Sequence, residues 1–222
     1  MDRDLSSKEL ATHSNGLNPI ATTTLTNLGV SPRCMPDGTQ SKDCNWFYMR
    51  VSYGREEHVN EYLLSQGIHT FYPTERKVVI VKGVRQMRQK SLIPNALFVY
   101  STEETLRQYI GKAPIPYFHH FYIPDKDVHG NLVGSGRKPL QIPDSQMENF
   151  MKWCNADAEN KLMVNTMFVF KNKDLVRVTG GPFTGFTGHV VRYKGQSRVG
   201  VNIDGIGFIS TTYIPKCYLE KL

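Results

Sequence analysis

The spacing of apolar residues changes character once along this chain, and that change restricts the fold to two unlike parts. Up to Asn155, short aromatic and β-branched runs alternate with segments of helical periodicity. Asn155 to Lys161 is polar, and beyond it only short strand-like runs follow, separated by glycine and turn residues. The pattern predicts an α+β domain over 44–155, a linker over 156–167 and a small all-β domain, a barrel, over 168–222. Residues 1–43 carry Ser, Thr, Asn, Gly and Pro without apolar periodicity, and they read as a flexible extension.

Within the first domain, Trp46 to Val51 reads as a strand broken by Gly54. Arg55 to Gln66 is a predicted helix, with Val59, Tyr62 and Leu63 on one stripe and Gly67 as its stop. Strands are expected over Ile68 to Thr74 and Leu97 to Tyr100, and a hairpin or loop around Gly83. Ser101 or Thr102 caps a helix from Glu103 to Ile110. Ala113 to Arg137 yields only one short strand near Phe118 and a glycine-rich loop. A helix opens at Asp144 or Ser145, with Met147, Phe150, Met151 and Cys154 on its apolar face. In the second domain, Asp204-Gly205 is a two-residue hairpin signal between strands.

Charge narrows the class of partner. The 222 residues carry a formal net charge of +7, which favours nucleic acid or the machinery around it. Arg76, Lys77, Lys82, Arg85, Arg88 and Lys90 follow one another with no acid between them, a pattern suited to a phosphate backbone. Arg85, Arg88 and Lys90, beyond the Gly83 break, are the strongest candidates, with Arg76 and Lys77 beside them; the alternative is a solvated face. No stretch is long and apolar enough for a membrane span, and the polar start lacks a secretory core, so a cytoplasmic location is expected. Cys34, Cys44, Cys154 and Cys217 form no metal-binding spacing, and free thiols are expected.

Two stretches resemble a known family. Trp46-Phe47, Arg50, Gly54-Arg55-Glu56, Gln66-Gly67-Ile68, Phe71-x-Pro73 and Ile93-Pro94-Asn95-Ala96-Leu97-Phe98-Val99 resemble the NGN domain of NusG-like transcription elongation factors. Asp174 to Gly188 is similar to a KOW motif, with Gly181, Phe183, Gly185 and Gly188 as its marker residues. The resemblance implies an NGN domain, an antiparallel sheet flanked by helices, followed by a small SH3-like β barrel. It implies a factor that binds RNA polymerase and suppresses pausing and termination without catalysis, as a monomer with no cofactor and no metal. Tyr48, Arg50, Phe98 and Phe118 are the positions that match the polymerase-docking depression, against the alternative of ordinary core residues. The basic run corresponds to a hairpin facing upstream or non-template DNA, or nascent RNA.

Two departures resemble the specialised UpxY and RfaH-type members, which act on long operons such as polysaccharide loci. Ala96 stands where an aromatic is usual, and Asp204 stands where an aromatic docks the termination factor Rho or a small-subunit ribosomal protein. A charge in place of an apolar anchor argues against Rho. The β-branched strands and Asp204-Gly205 predict a β ground state for the C-terminal domain. The rival reading is an RNA-binding or ribosome-associated KOW protein, which would lack the pattern over 46–99. His119-His120 and His58 have no companions at a catalytic spacing, so no enzymatic activity is expected.

Overall fold

The structure is a computed structural model. It describes residues 44–222 apart from Lys82 and residues 171–173, and omits the side chains of Arg76, Lys77, Val79 and Val81. The predicted extension over 1–43 lies outside the described residues. Two compact units divide the chain, one holding residues 44–74 with 90–144, the other Glu75–Gln89 with Ser145–Leu222.

The first unit is built on a five-stranded antiparallel sheet. In chain order, β1 (Asn45–Val51) is followed by helix α1 (Glu56–Ser65) and β2 (His69–Phe71). Next in sequence come β3 (Thr74–Val81) and β4 (Val84–Ser91), which fall almost wholly in the other unit, then β5 (Ala96–Ser101) and the short helix α2 (Glu103–Arg107). Then follow β6 (Phe118–His120), β7 (Tyr122–Lys126), β8 (Leu132–Pro139) and β9 (Gln141–Ile142). The sheet runs β2-β5-β1-β6, and β9 also pairs with β1. β3–β4 and β7–β8 are separate two-stranded ribbons.

Alternation along β1 and β5 gives the sheet two unlike faces. Phe47, Met49, Val51, Leu97 and Val99 enter a core with Val59 and Leu63 of α1, Leu106 of α2, Ile115 and Phe118. Burial of each such side chain contributes about 1.5–3 kcal/mol, which is why these residues, not helix propensity, hold α1 and α2 in place. Helix α1 ends as its sequence predicts: Gly67 takes φ +76°, and the Ile68 N–H reaches back to the Leu63 carbonyl at 3.0 Å. Thr102 caps α2 by accepting the Thr105 N–H at 3.1 Å, but the helix stops at Arg107 and does not reach Ile110.

The second unit opens with helix α3 (Asp144–Asn155), followed by β10 (Leu162–Val164), β11 (Leu175–Val178), β12 (Thr187–Tyr193), β13 (Gln196–Ile203), β14 (Gly207–Ser210) and β15 (Leu219–Lys221). The six strands run β10-β14-β13-β12-β11-β15, all antiparallel. Among the described residues no pairing joins β10 to β15, so the six strands do not close on themselves. The sequence division also shifts. Helix α3 packs with the C-terminal sheet, and residues 156–167, taken as a linker, contain β10.

The reason lies in the polar side of α3, which apolar periodicity does not register. Gln146 Oε1 accepts the Asp204 N–H at 2.8 Å, and Asn149 Oδ1 accepts the Thr187 N–H at 3.0 Å. Lys152 Nζ donates to the Gly185 carbonyl at 3.1 Å and Trp153 Nε1 to that of Ser210 at 2.8 Å. Lys161 closes the helix end, donating to the carbonyls of Trp153 (2.8 Å), Cys154 (3.3 Å) and Ala156 (2.8 Å). Burial pushes that ammonium down to about 8, and burial pushes the Cys154 thiol up.

Candidate functional site

The basic ribbon β3–β4 turns at Gly83, whose φ of +79° suits a residue without Cβ. Every residue of β4 from Val84 to Lys90 is exposed. Strand alternation places Arg88 and Lys90 on one face with Gln86, and Arg85 on the other with Met87. The predicted cations are thus brought to one ribbon but not to one face. Arg76 and Lys77 lie on β3, and their side chains lie outside the described residues. Val78, Ile80, Val84 and Met87 are exposed as well, so the ribbon presents apolar side chains among its cations.

The predicted docking residues separate. Tyr48 and Phe98 are register partners, with rings 5.2 Å apart and edge-on, on the sheet face opposite the helix-side core. Phe71, 6.2 Å from Phe98, and Phe121, 4.9 Å from Tyr48, extend the row. Yet Tyr48 retains 9% of its surface and Phe98 none, and burial raises the Tyr48 hydroxyl above its usual range. Phe118 points to the other face, into the helix-side core beside Val51, and is also 0% exposed. A side chain without accessible surface offers a partner nothing in this conformation, so of the four only Arg50 is exposed.

A cluster that the sequence did not reveal surrounds that arginine. Arg50 pairs across β1–β6 with the exposed His119. Beyond the strand end the Arg55 guanidinium lies 5.3 Å over the Tyr117 ring, with His58 6.3 Å from the same ring. The loop is held by Ser52 N–H to the Tyr117 carbonyl (3.1 Å) and Val51 N–H to the Asn95 carbonyl (2.9 Å). The Asn95 N–H donates to Glu56 Oε1 at 2.6 Å. Asn95 itself sits at φ +62°, which the Pro94-Asn95 pair tolerates. These residues are far apart in sequence, and no periodicity links them.

In the second unit the marker glycines act by two different means. Gly185 takes φ +79° in the turn before Phe186, whereas a Cβ on Gly188 would lie 2.5 Å from the Gly200 carbonyl oxygen. Gly181 is also in the left-handed region, at φ +81°. Phe183 and Phe186 are both buried, rings 6.3 Å apart, so Phe183 is a packing residue here, not a surface one. The Asp204 connection spans three residues between β13 and β14, not two, because Ile203 pairs with Gly207. Asp204 Oδ2 accepts Gln146 Nε2 at 3.3 Å, so this carboxylate serves the attachment of α3.

The two adjacent histidines of β6 lie in different surroundings. His119 is exposed, while His120 is buried against the Phe47 and Tyr122 rings, at 5.6 and 5.7 Å, and burial lowers its pKa. Among the described residues no three His, Cys, Asp or Glu side chains gather as metal ligands, and no helix is long and apolar enough to cross a membrane. Cys44 is disulfide-bonded, contrary to the expectation of free thiols, while Cys154 and Cys217 are free.

No curated protein matches the chain. Residues 44–151 match the family model described as transcription termination factor nusG, a stretch that spans the five-stranded sheet, both ribbons and most of α3. The match covers 108 of the 222 residues, so this stretch is similar to the NusG family, a likeness that supports a general role in transcription.

Proposed function

We propose that this chain is a cytoplasmic transcription elongation and antitermination factor that binds RNA polymerase through residues 44–151 and suppresses pausing and termination on long operons, polysaccharide loci among them. It works by binding alone, shifting polymerase between conformations by differential affinity, with no cofactor and no catalytic step. The observation that carries the reading is the NusG match over 44–151, joined to a ribbon in that same stretch whose strand β4 exposes Arg85, Arg88 and Lys90 and bears no acid. Those cations, with Arg76 and Lys77, contact the nucleic acid of the elongation complex. Arg50, with Arg55, Tyr117 and His119 around it, is the exposed polymerase-facing cluster.

The C-terminal sheet is a KOW-type small barrel in this reading. Support comes from the β11–β14 meander, the return of β15 to β11 and the two glycine constraints at Gly185 and Gly188. Asp204, engaged with Gln146, argues against an apolar contact with Rho. The test is in vitro transcription by purified polymerase on a template with pauses, with and without the full chain. Shortened pauses and increased read-through of terminators are expected. Unchanged pause lifetimes and read-through would remove the proposal.

A further inference from the structure

One edge of the first sheet is built from two short stretches that meet β1 side by side. Phe118, His119 and His120 of β6 pair with Val51, Arg50 and Met49, and Gln141 and Ile142 of β9 pair with Phe47 and Trp46. Between them the Phe121 N–H donates to the Tyr48 carbonyl at 3.2 Å and the Tyr48 N–H to that of Leu140 at 3.0 Å. The Leu140 N–H donates to the Phe121 carbonyl at 2.8 Å, and the Phe121 ring lies 4.9 Å from that of Tyr48. β7–β8 leaves the sheet at this joint, and His120 is the last residue of β6 before it.

The side chain of His120 is an anomaly. It is 7% exposed, and neither ring nitrogen has a hydrogen-bond partner among the described residues. A buried polar group in that state calls for an explanation. Alternation puts it on the helix-side face with Phe118, while His119 and Arg50 turn to the other face. β1 offers it the Phe47 ring at 5.6 Å and Met49 as register partner, both uncharged. β7 offers the Tyr122 ring at 5.7 Å, and the Arg137 guanidinium of β8 lies 5.7 Å over that ring. Helix α2 brings the charges that act on it, Glu103 and Arg107, which bond each other at 2.7 Å. A neutral imidazole fits this enclosure. An imidazolium finds no acceptor there among the described residues, and Arg107 already engages the one carboxylate that attracts it. Burial lowers the His120 pKa; Glu103 acts to raise it and Arg107 to lower it.

We propose that His120 is a proton-operated latch on this edge of the sheet: neutral, it seats the end of β6 in the helix-side core; protonated, it leaves that core and carries Phe121 off Tyr48. For a histidine with a lowered folded value, the closed edge is fully stable above the ordinary histidine value. It weakens as pH falls from there through the lowered one. Between the two, opening takes up one proton, so the open population rises about 10-fold per pH unit.

The test is amide exchange by NMR on the full chain, with the His120 ring titrated alongside. The ring should titrate below the ordinary histidine value. Protection of the Phe121 and Leu140 amides should fall over the same range, while that of Ile68, bonded to Leu63 at the end of α1, holds. In His120→Phe, which keeps a ring between Phe47 and Tyr122, protection should ignore pH over that range. Arg107→Gln should move the onset to higher pH and Glu103→Gln to lower pH. A ring that titrates at the ordinary value, protection indifferent to pH in the parent chain, or a fall that survives in His120→Phe overturns the inference. A fall shared by Ile68 also overturns it, as general acid unfolding. If His120→Phe does not fold, the two α2 variants decide, and coincident onsets overturn it.

Discussion

Two ribbons of the same two-stranded architecture lie within residues 74–139 and hold their charges in different ways. β4 exposes Arg85, Arg88 and Lys90 without an acid in the strand, and its connection to β3 is short, passing through Gly83. β7–β8 pairs Lys138 with Asp125, stacks Arg137 on Tyr122 and orders its turn around the Asp127 carboxylate. Exposure is common to both, so exposure does not identify a ligand. What separates them is whether the charges are spent within the ribbon. Unspent cations act at a distance and weaken with salt, whereas an ordered, charge-balanced surface works only in contact and is indifferent to salt.

The largest expected effect tests the cationic side. Arg85→Glu/Arg88→Glu/Lys90→Glu should lower affinity for duplex DNA on the order of 100-fold at low salt and flatten the plot of log affinity against log salt by about 3. Fluorescence anisotropy over a salt series measures both, and an unchanged slope would dissolve the contrast. The opposite arm is Val128→Asp/Leu132→Asp, for which the same DNA titration should move by less than about twofold, because no phosphate contact is removed. A smaller effect comes from the turns. Gly83 and Gly130 sit at φ +79° and +85° with nothing within 4 Å of an added Cβ, so alanine costs strain alone, about 1–2 kcal/mol. Hydrogen exchange should rise more in β4 than in β8, since only the second turn has a carboxylate holding it; equal rises would count against that distinction.

The smallest effect is a pH response. Asn131's backbone N–H, and then that of His129, hold the Asp127 carboxyl below the usual carboxylate range. For a depressed acid the turn's bonds are fully present above the ordinary carboxylate pKa and are lost as pH falls through the lowered value. The His129 and Asn131 amides should therefore stay protected through mild acid and open only at lower pH than a free aspartate would suggest. In Asp127→Asn that pH dependence should vanish; an amide-exchange profile that persists in the variant would assign the protection elsewhere.

Much of this fold was legible from local pattern. Val59 and Leu63 are buried on α1 as their spacing predicts, Gly67 ends that helix, and alternation along β1 separates Phe47, Met49 and Val51 from Tyr48. What escaped was non-local or polar. β7–β8 is hidden because Pro124, Gly134 and Gly136 read as loop residues, while the strand pairing depends on register with distant partners. Arg55 over Tyr117 joins residues from opposite ends of the domain. Phe98 and Phe118 were grouped by their match to one docking depression, yet the strands that carry them turn one to each face. On α3, Met147, Phe150 and Cys154 are buried as their spacing predicts, but Met151 is half-buried, and the buried Trp153 and the amide side chains that decide the helix's neighbour were missed.

Helix α3 has a practical consequence for anyone who divides this protein. A fragment begun at residue 168, where composition suggests a clean start, would discard α3 and β10 together. The Thr187 amide would lose Asn149, the Ser210 carbonyl would lose Trp153, and β14 would become a bare edge beside Phe208. Each stranded polar group costs roughly 1–3 kcal/mol if it stays buried, and an uncovered strand invites pairing with its own kind. Such a fragment should aggregate, and a cut before Asp144 should not; expression trials of the isolated half therefore report on the helix as much as on the sheet.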